Sequence, residues 1–186
     1  MKKYRTPLLA LGILAFAGNA QAQVIVHGKS NAAQCYQFAL VGNNGSQAAL
    51  KSCSEALDGN LTRRNKAATL VNRGLLYMRK GDQEKATEDY TSALEINPGL
   101  TQAHVNQGAS LIHQKKFDEA IQSLNTALED TDSPTRAEAL YNRAVALDFK
   151  EDYKGAYRDL KAALELKPDW SLALNFISRY EVRSSG

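Results

Sequence analysis

Apolar residues recur with a helical period through residues 67–170, in pairs of segments separated by short polar turns. The first pair lies on either side of the turn at 80–82, and the same pattern returns 34 and then 36 residues later. A fixed period of this size is typical of arrays in which each pair of helices stacks on the next. The sequence therefore predicts an all-α solenoid of three helix-turn-helix repeats, at about 67–100, 101–136 and 137–170.

Small residues occupy equivalent positions in the three copies, where two helices must approach closely. A larger side chain at these positions would push the paired helices apart. On the first helix of each copy the small residue is Gly74, Gly108 or Ala144. On the second helices the small residues are Ala86, Ala93, Ala120, Ala127, Ala156 and Ala163, with Tyr90, Leu124 and Leu160 between them. Pro98 and Pro168 stand where the first and third copies must end.

This pattern resembles the tetratricopeptide repeat, and the Asn-Arg-Gly run at 72–74 is similar to a common bacterial variety of it. Leu70, His104 and Leu140 stand where that family often has tryptophan. The resemblance implies a right-handed α-solenoid, which we expect to end in a capping helix. The segment 169–186 fits such a helix and tail, because its apolar residues follow one helical stripe. These residues are Ala173, Phe176, Ile177 and Tyr180.

Opposite charges recur at a fixed distance in two of the three copies. Arg73 precedes Asp89 by 16 residues, and Arg143 precedes Asp159 by the same interval. In the middle copy both positions are uncharged, as Gln107 and Ser123. Charges that appear and disappear together indicate structural salt bridges between the two helices of a repeat. We favour this interpretation over the alternative that the arginines bind anions.

Residues 1–22 have the features of a secretory signal peptide. A basic start is followed by an apolar run over 8–17 and by small residues at 20 and 22, a pattern typical of a cleavage site. The apolar run is too short to span a membrane. We therefore expect export to a bacterial periplasm, or to the medium, without stable membrane insertion after cleavage.

Signal cleavage changes the charge balance of the chain. The whole sequence has 23 Lys and Arg and 20 Asp and Glu, giving a net charge of +3. Residues 1–22 hold three basic residues and no acidic ones, so the remaining chain is neutral. This neutrality gives no support for nucleic acid or an anionic membrane as a partner.

Residues 23–61 fit a short lead followed by a degenerate helical hairpin that caps the array. Cys35 and Cys53, the only two cysteines, fall on opposite helices of this hairpin. Export would bring them to an oxidising compartment, which favours a disulfide. Two alternatives have less support. Metal binding lacks further ligands at suitable spacing, and a redox pair would normally read Cys-x-x-Cys.

Groups that could perform catalysis are few. His27, His104 and His113 are the only histidines, and none belongs to a metal-ligand pair. His104 occupies a packing position, and no serine stands in a nucleophile motif. We therefore predict no enzyme activity, no metal and no cofactor, and we expect the partner to be another protein or peptide.

The first helices should line the concave side of the array. Asn72, Asn106 and Asn142 occupy the same place on them, and their amides could pair with an extended peptide backbone. The alternative is that these asparagines only order the repeat. Around them we predict an apolar trough with mixed charge at its edges. Its apolar members are Val71, Leu75, Met78, Val105, Ala109, Ile112, Tyr141, Val145 and Phe149, and its charged edge consists of Arg79, His113, Glu138 and Asp148.

A clamp for a carboxylate at the end of a peptide, as found in some relatives, would need Lys or Arg on successive first helices. This chain has Ala68, Gln102 and Glu138 there. Two function classes remain. One is an exported adaptor that holds a partner segment in the concave trough. The other is a structural or assembly subunit of a cell-envelope complex that uses its outer faces or ends.

Overall fold

The computed structural model describes residues 30–41 and 45–180, and these ranges contain nine α-helices and no strand. The predicted signal peptide, the lead up to residue 29 and residues 181–186 lie outside the described residues. The helices are α1 (Asn31–Leu40), α2 (Gln47–Leu57), α3 (Arg63–Lys80), α4 (Gln83–Ile96), α5 (Thr101–His113), α6 (Phe117–Glu129), α7 (Arg136–Phe149), α8 (Tyr153–Leu166) and α9 (Ser171–Ile177).

Helices α3 to α8 form three successive hairpins, in which α3 packs on α4, α5 on α6 and α7 on α8. Each second helix also packs on the next first helix, so the hairpins stack into the predicted all-α solenoid. The small residues allow this close packing. A Cβ added to Gly74 would lie 2.6 Å from Tyr90 Cε1, and one added to Gly108 would lie 2.5 Å from Leu124 Cγ. At either position an alanine requires the facing side chain to move.

Short polar side chains begin several of the helices. Ser46, Thr62, Asp82 and Asp152 each accept a hydrogen bond from the backbone N–H three residues ahead. The turn inside the first repeat needs a left-handed residue, and Gly81 supplies it with φ of 90°. In the second and third repeats, Lys115 and Glu151 occupy the equivalent place with φ of 61° and 63°. These two residues adopt a conformation that side chains disfavour.

The amino-terminal hairpin, α1 and α2, is closed by a disulfide between Cys35 and Cys53, and both residues are 0% exposed. This hairpin packs against α3, where Arg79 Nη1 donates a 2.7 Å hydrogen bond to Ala39 O. Gly45 also lies tightly on α3, because a Cβ at this residue would be 2.3 Å from Leu76 O. The cap and the first repeat therefore form one continuous packed unit.

The carboxyl-terminal helix, α9, packs against α8 and is shorter than the predicted segment. Residues just before and within it contact α7. The rings of Trp170 and Phe176 lie 4.9 and 5.9 Å from the ring of Tyr141, measured between centroids. Tyr180 Oη donates a 2.5 Å hydrogen bond to Asp148 Oδ1. These contacts cover the last repeat on the side of its first helix.

The face formed by the first helices

Helices α3, α5 and α7 lie side by side and form the face on which we expected a trough (the first-helix face). The trough is not open. Eight of its nine apolar residues are at most 7% exposed, and most of them belong to one hydrophobic cluster. These eight are Val71, Leu75, Met78, Val105, Ala109, Ile112, Tyr141 and Val145. The prediction of exposure is wrong for them, because their apolar side chains pack into the core of the array.

The three asparagines are also buried, with exposures of 7% for Asn72, 1% for Asn106 and 0% for Asn142. Asn106 Oδ1 accepts a 3.1 Å hydrogen bond from Gln102 Nε2 on the same helix. Buried amides need internal hydrogen-bond partners, and such bonds hold the side chain in place. The prediction of an exposed ladder is therefore wrong, and the alternative that the asparagines order the repeat is favoured.

The equivalent positions 79, 113 and 149, at the carboxyl ends of the first helices, show a different pattern. Arg79 is half-buried on α3 and bound to the cap, and burial lowers the pKa of its guanidinium. His113 is the last residue of α5 and Phe149 the last of α7, and both side chains are exposed. Phe149 is 38% exposed and stacks on Phe117, with centroids 4.8 Å apart and planes 11° apart. We call His113, Phe117 and Phe149 the aromatic rim.

Phe117 was not among the residues singled out from the sequence. It begins α6 directly after a turn, in the same place as Tyr153 at the start of α8. The recurrence of an aromatic residue at the start of a second helix could have identified Phe117 from the sequence. Partial burial lowers the pKa of the His113 imidazole, which favours its neutral form at neutral pH.

Two acidic residues of the first-helix face, Glu138 and Asp148, are engaged with other side chains. Glu138 Oε1 pairs with Lys167 Nζ at 2.5 Å, and Asp148 accepts the hydrogen bond from Tyr180. Ala68 and Gln102, which stand where a clamp would need a cation, are buried. His104 has the packing role expected of it, because its Nε2 lies 2.9 Å from Pro98 O and its Nδ1 3.4 Å from Ser123 Oγ.

Both predicted salt bridges are present. Arg73 Nε and Nη2 donate to the two oxygens of Asp89 at 2.8 and 2.7 Å. Arg143 binds Asp159 in the same way, at 2.6 and 2.8 Å. Burial raises the pKa of the Asp89 carboxyl, and the hydrogen bond from Arg73 opposes that rise. Both arginines serve the packing of a repeat, since each holds a carboxylate that is almost fully buried.

The middle repeat has neutral hydrogen bonds at the same place. Ser123 Oγ donates to Gln107 Oε1 at 2.9 Å, and Gln107 Nε2 donates to Thr91 Oγ1 at 2.9 Å. Across the described residues, no three His, Cys, Asp or Glu side chains are grouped so that they could hold a metal ion. Within the same ranges, no helix has both the length and the apolar character needed to cross a membrane.

A tetratricopeptide repeat family model matches residues 67–100, and a second model of that description matches residues 105–169. Together they cover more than half of the chain. The chain belongs to the tetratricopeptide repeat family. Proteins of this family mediate protein–protein interactions, and their repeats are typically adaptors or scaffolds without catalytic activity.

Among curated proteins, the photosystem I assembly protein Ycf3 of Prochlorococcus marinus is 31% identical over 124 residues, which are 67% of each chain. A DnaJ homolog subfamily C member 7 homolog of Dictyostelium discoideum is 31% identical over 97 residues, or 50% of this chain. The match spans only 18% of the length of the Dictyostelium protein.

Two solved structures show the same fold. MamA of Desulfovibrio magneticus, solved from its residue 41 to the end, superposes with a TM-score of 0.66 at 21% identity, covering 82% of this chain and 84% of the solved MamA chain. The second tetratricopeptide domain of human RPAP3, solved with an HSP70 peptide, superposes with a TM-score of 0.58 at 23% identity. That match covers 63% of this chain and 97% of the RPAP3 domain.

Proposed function

We propose that this chain is an exported adaptor that binds a segment of another protein at the edge of its first-helix face. The aromatic rim is the observation that carries this proposal. Phe149 is the one large apolar residue of the predicted trough that is exposed, and its ring is held flat against Phe117. A rigid aromatic pair provides contact area at little cost in side-chain entropy.

The chemistry of the rim indicates what kind of segment it would bind. The neutral His113 and the two phenylalanine rings favour an apolar or aromatic side chain of the partner over a carboxylate. Lys150 and Asp118 form an ion pair with each other close to the stacked rings. The RPAP3 structure contains a peptide with the sequence SGPTIEEVD. We do not expect such an acidic end to bind here, because Glu138 occupies a position where a clamp would need a cation.

Export is supported by the pattern of residues 1–22 and by the Cys35–Cys53 pair. A buried disulfide is maintained in an oxidising compartment such as the bacterial periplasm. Fractionation of cells that express the full sequence tests this part of the proposal. We expect a periplasmic product that begins at Gln23 and contains no free thiol. A cytoplasmic product with two free thiols would contradict it.

Site-specific photo-crosslinking tests the binding site in cells. A photoreactive amino acid at position 113 should capture a defined partner protein, identified by mass spectrometry. The same group at position 161, an exposed residue of α8, should not capture that protein. Phe149→Ala should reduce the adduct at position 113 by about fivefold or more, since losing one well-buried contact typically weakens binding by about that factor or more.

Lys161→Ala is the matched control and should leave the adduct at position 113 unchanged. The circular dichroism spectrum of each variant shows whether it is folded. If position 161 captures the same protein as efficiently, or if Phe149→Ala has no effect on a folded protein, the aromatic rim is not the binding site.

A further inference from the structure

Helix α9 corresponds to the first helix of a fourth repeat. Continuing the 34-residue step beyond the third copy places Leu174, Ile177 and Ser178 at the positions of Leu140, Arg143 and Ala144. Ser178 thus preserves a small residue at the position where each repeat brings its two helices together. Helix α9 also packs on α8 as the earlier first helices pack on the second helix before them.

The exposure of α9 shows what this fourth repeat lacks. Leu140 and Ala144 are 5% and 0% exposed, and they lie on α7, which packs on the second helix of its own repeat. The equivalent Leu174 is 44% exposed, and Ser178 is exposed too. The face of α9 that should carry a second helix is therefore uncovered within the described residues.

A second exposed leucine belongs to the same end of the array. Leu166, the last residue of α8, is 52% exposed, whereas the equivalent Ile96 of the first repeat packs against the core. We call Leu166, Leu174, Ile177 and Ser178 the end face. The second helices α4, α6 and α8 are 14, 13 and 14 residues long. A helix of similar length would complete a fourth repeat on the end face.

We propose that the end face binds an amphipathic helix of another protein, seated as the second helix of a fourth repeat. This site continues the series of interfaces that α4, α6 and α8 already make, and it is distinct from the aromatic rim. The spacing of small and large residues in α4, α6 and α8 specifies the sequence pattern that the partner helix needs. It carries two small residues seven positions apart, with a large apolar residue four positions after the first of them, as in Ala120, Leu124 and Ala127.

The end face also specifies the charge of one partner residue. In the first and third repeats, the residue just before the large apolar one is an aspartate bound to a first-helix arginine. Ile177 replaces that arginine in α9. An aspartate of the partner would then be buried beside an apolar side chain without a cation, which is unfavourable. The partner helix therefore has an uncharged residue there, as α6 has Ser123.

This requirement can be tested with helices of the chain itself as probes. Two fluorescent peptides of sequence 117–129 and 153–166 would be made with blocked ends. A lactam bridge between outward positions, 118–122 in one and 154–158 in the other, keeps each helical. Fluorescence anisotropy with the full-length protein should show that the 117–129 peptide binds at least about tenfold more tightly, a difference of ~1.4 kcal/mol.

Three variants of the protein sharpen the test. Leu174→Asp should weaken binding of the 117–129 peptide by at least about tenfold, since it places a charge in the apolar contact. Asn175→Ala, a change at an exposed neighbour on the same helix, should leave the affinity within about twofold. Ile177→Arg should reverse the preference, so that the 153–166 peptide, which carries Asp159, binds more tightly.

The proposal is overturned by any of three results. One is the absence of saturable binding of either bridged peptide up to ~1 mM, the range of the weakest specific complexes. Another is unchanged affinity in Leu174→Asp. The third is an unchanged order of affinities in Ile177→Arg. None of these variants touches the aromatic rim, so the outcome is independent of photo-crosslinking at position 113.

Discussion

The first and third repeats differ from the second in how their two helices are joined. Arg73 and Arg143 each hold a nearly buried aspartate through two hydrogen bonds. In the second repeat, Ser123 and Gln107 replace the charges and are joined by a single neutral hydrogen bond. In all three repeats, every charged side chain at this contact has a partner. The repeats differ in what happens when one side chain of the pair is removed. A charged pair fails when either side chain is lost, whereas a neutral pair tolerates such a loss.

The largest effect is expected from breaking a charged pair. Arg143→Ala leaves Asp159, with 4% of its side chain exposed, in the core without a cation. We expect this to lower the free energy of unfolding by ~3–5 kcal/mol, as for other buried pairs with one member removed. Urea denaturation at pH 7 measures the effect. Gln107→Ala, the matched change in the neutral repeat, should cost only ~1 kcal/mol, and equal losses in the two variants would contradict the comparison.

The amino-terminal hairpin has a third kind of connection, the disulfide. Replacing Cys35 and Cys53 together by serine opens a loop with a sequence separation of 18 residues. We expect a loss of ~3 kcal/mol from the increased entropy of the unfolded chain. Thermal unfolding with and without a reducing agent provides the measurement. The reductant should lower the melting temperature of the wild type only, and an equal response of the double variant would show that the disulfide is not the cause.

A charge can also be introduced into the neutral repeat. Ser123→Asp alone buries a carboxylate opposite Gln107, and we expect it to cost ~2 kcal/mol. Adding Gln107→Arg should restore most of this loss by recreating the pair of the other repeats. A double-mutant cycle isolates the interaction between the two sites. A coupling energy near zero would mean that the backbone of the second repeat does not accept the ion-pair geometry.

The smallest effect concerns Tyr90, whose hydroxyl is fully buried and has no hydrogen-bond partner among the residues that the structure describes. Leu124 and Leu160 occupy this position in the other repeats. Tyr90→Phe removes the unsatisfied hydroxyl and should stabilise the protein by ~1 kcal/mol at pH 7.

The gain in stability from Tyr90→Phe should increase at alkaline pH. Burial raises the pKa of Tyr90 well above its usual value near 10. The unfolded chain therefore releases the phenol proton as the pH rises past 10, while the folded chain retains it, so stability is lost over that range. Phenylalanine cannot ionise and avoids this loss. Urea denaturation at pH 7 and pH 11 tests both points, and a destabilised variant would show that the hydroxyl has a favourable contact.

The hairpins and their connections could be predicted from the sequence because copies of one unit can be compared with each other. The joint absence of charge at Gln107 and Ser123 identified the ion pairs of the other two copies. The exposure of the first-helix face could not be predicted in this way. Helical periodicity shows which residues share a face, but not how completely neighbouring helices cover side chains as small as Val105 and Ala109.

The sequence predicted two residues of the aromatic rim, His113 and Phe149, but not Phe117, for a related reason. Phe149 was expected on the first-helix face, but its partner Phe117 belongs to a second helix of the preceding repeat. Contacts between repeats depend on the rotation from one hairpin to the next, which the sequence period does not define. The left-handed conformations of Lys115 and Glu151 were missed because the sequence shows a glycine only in the first of the three equivalent turns.

The two ends of the array are secured very differently, and this determines where unfolding should begin. Because each hairpin touches only its neighbours, a solenoid frays from its ends. A covalent crosslink closes the amino-terminal hairpin, and Arg79 attaches it to the next helix. At the opposite end, the described residues contain no crosslink, and their last helix is the seven-residue α9. Limited proteolysis should therefore shorten the chain stepwise from the carboxyl side. A helix bound to the end face should slow this cleavage.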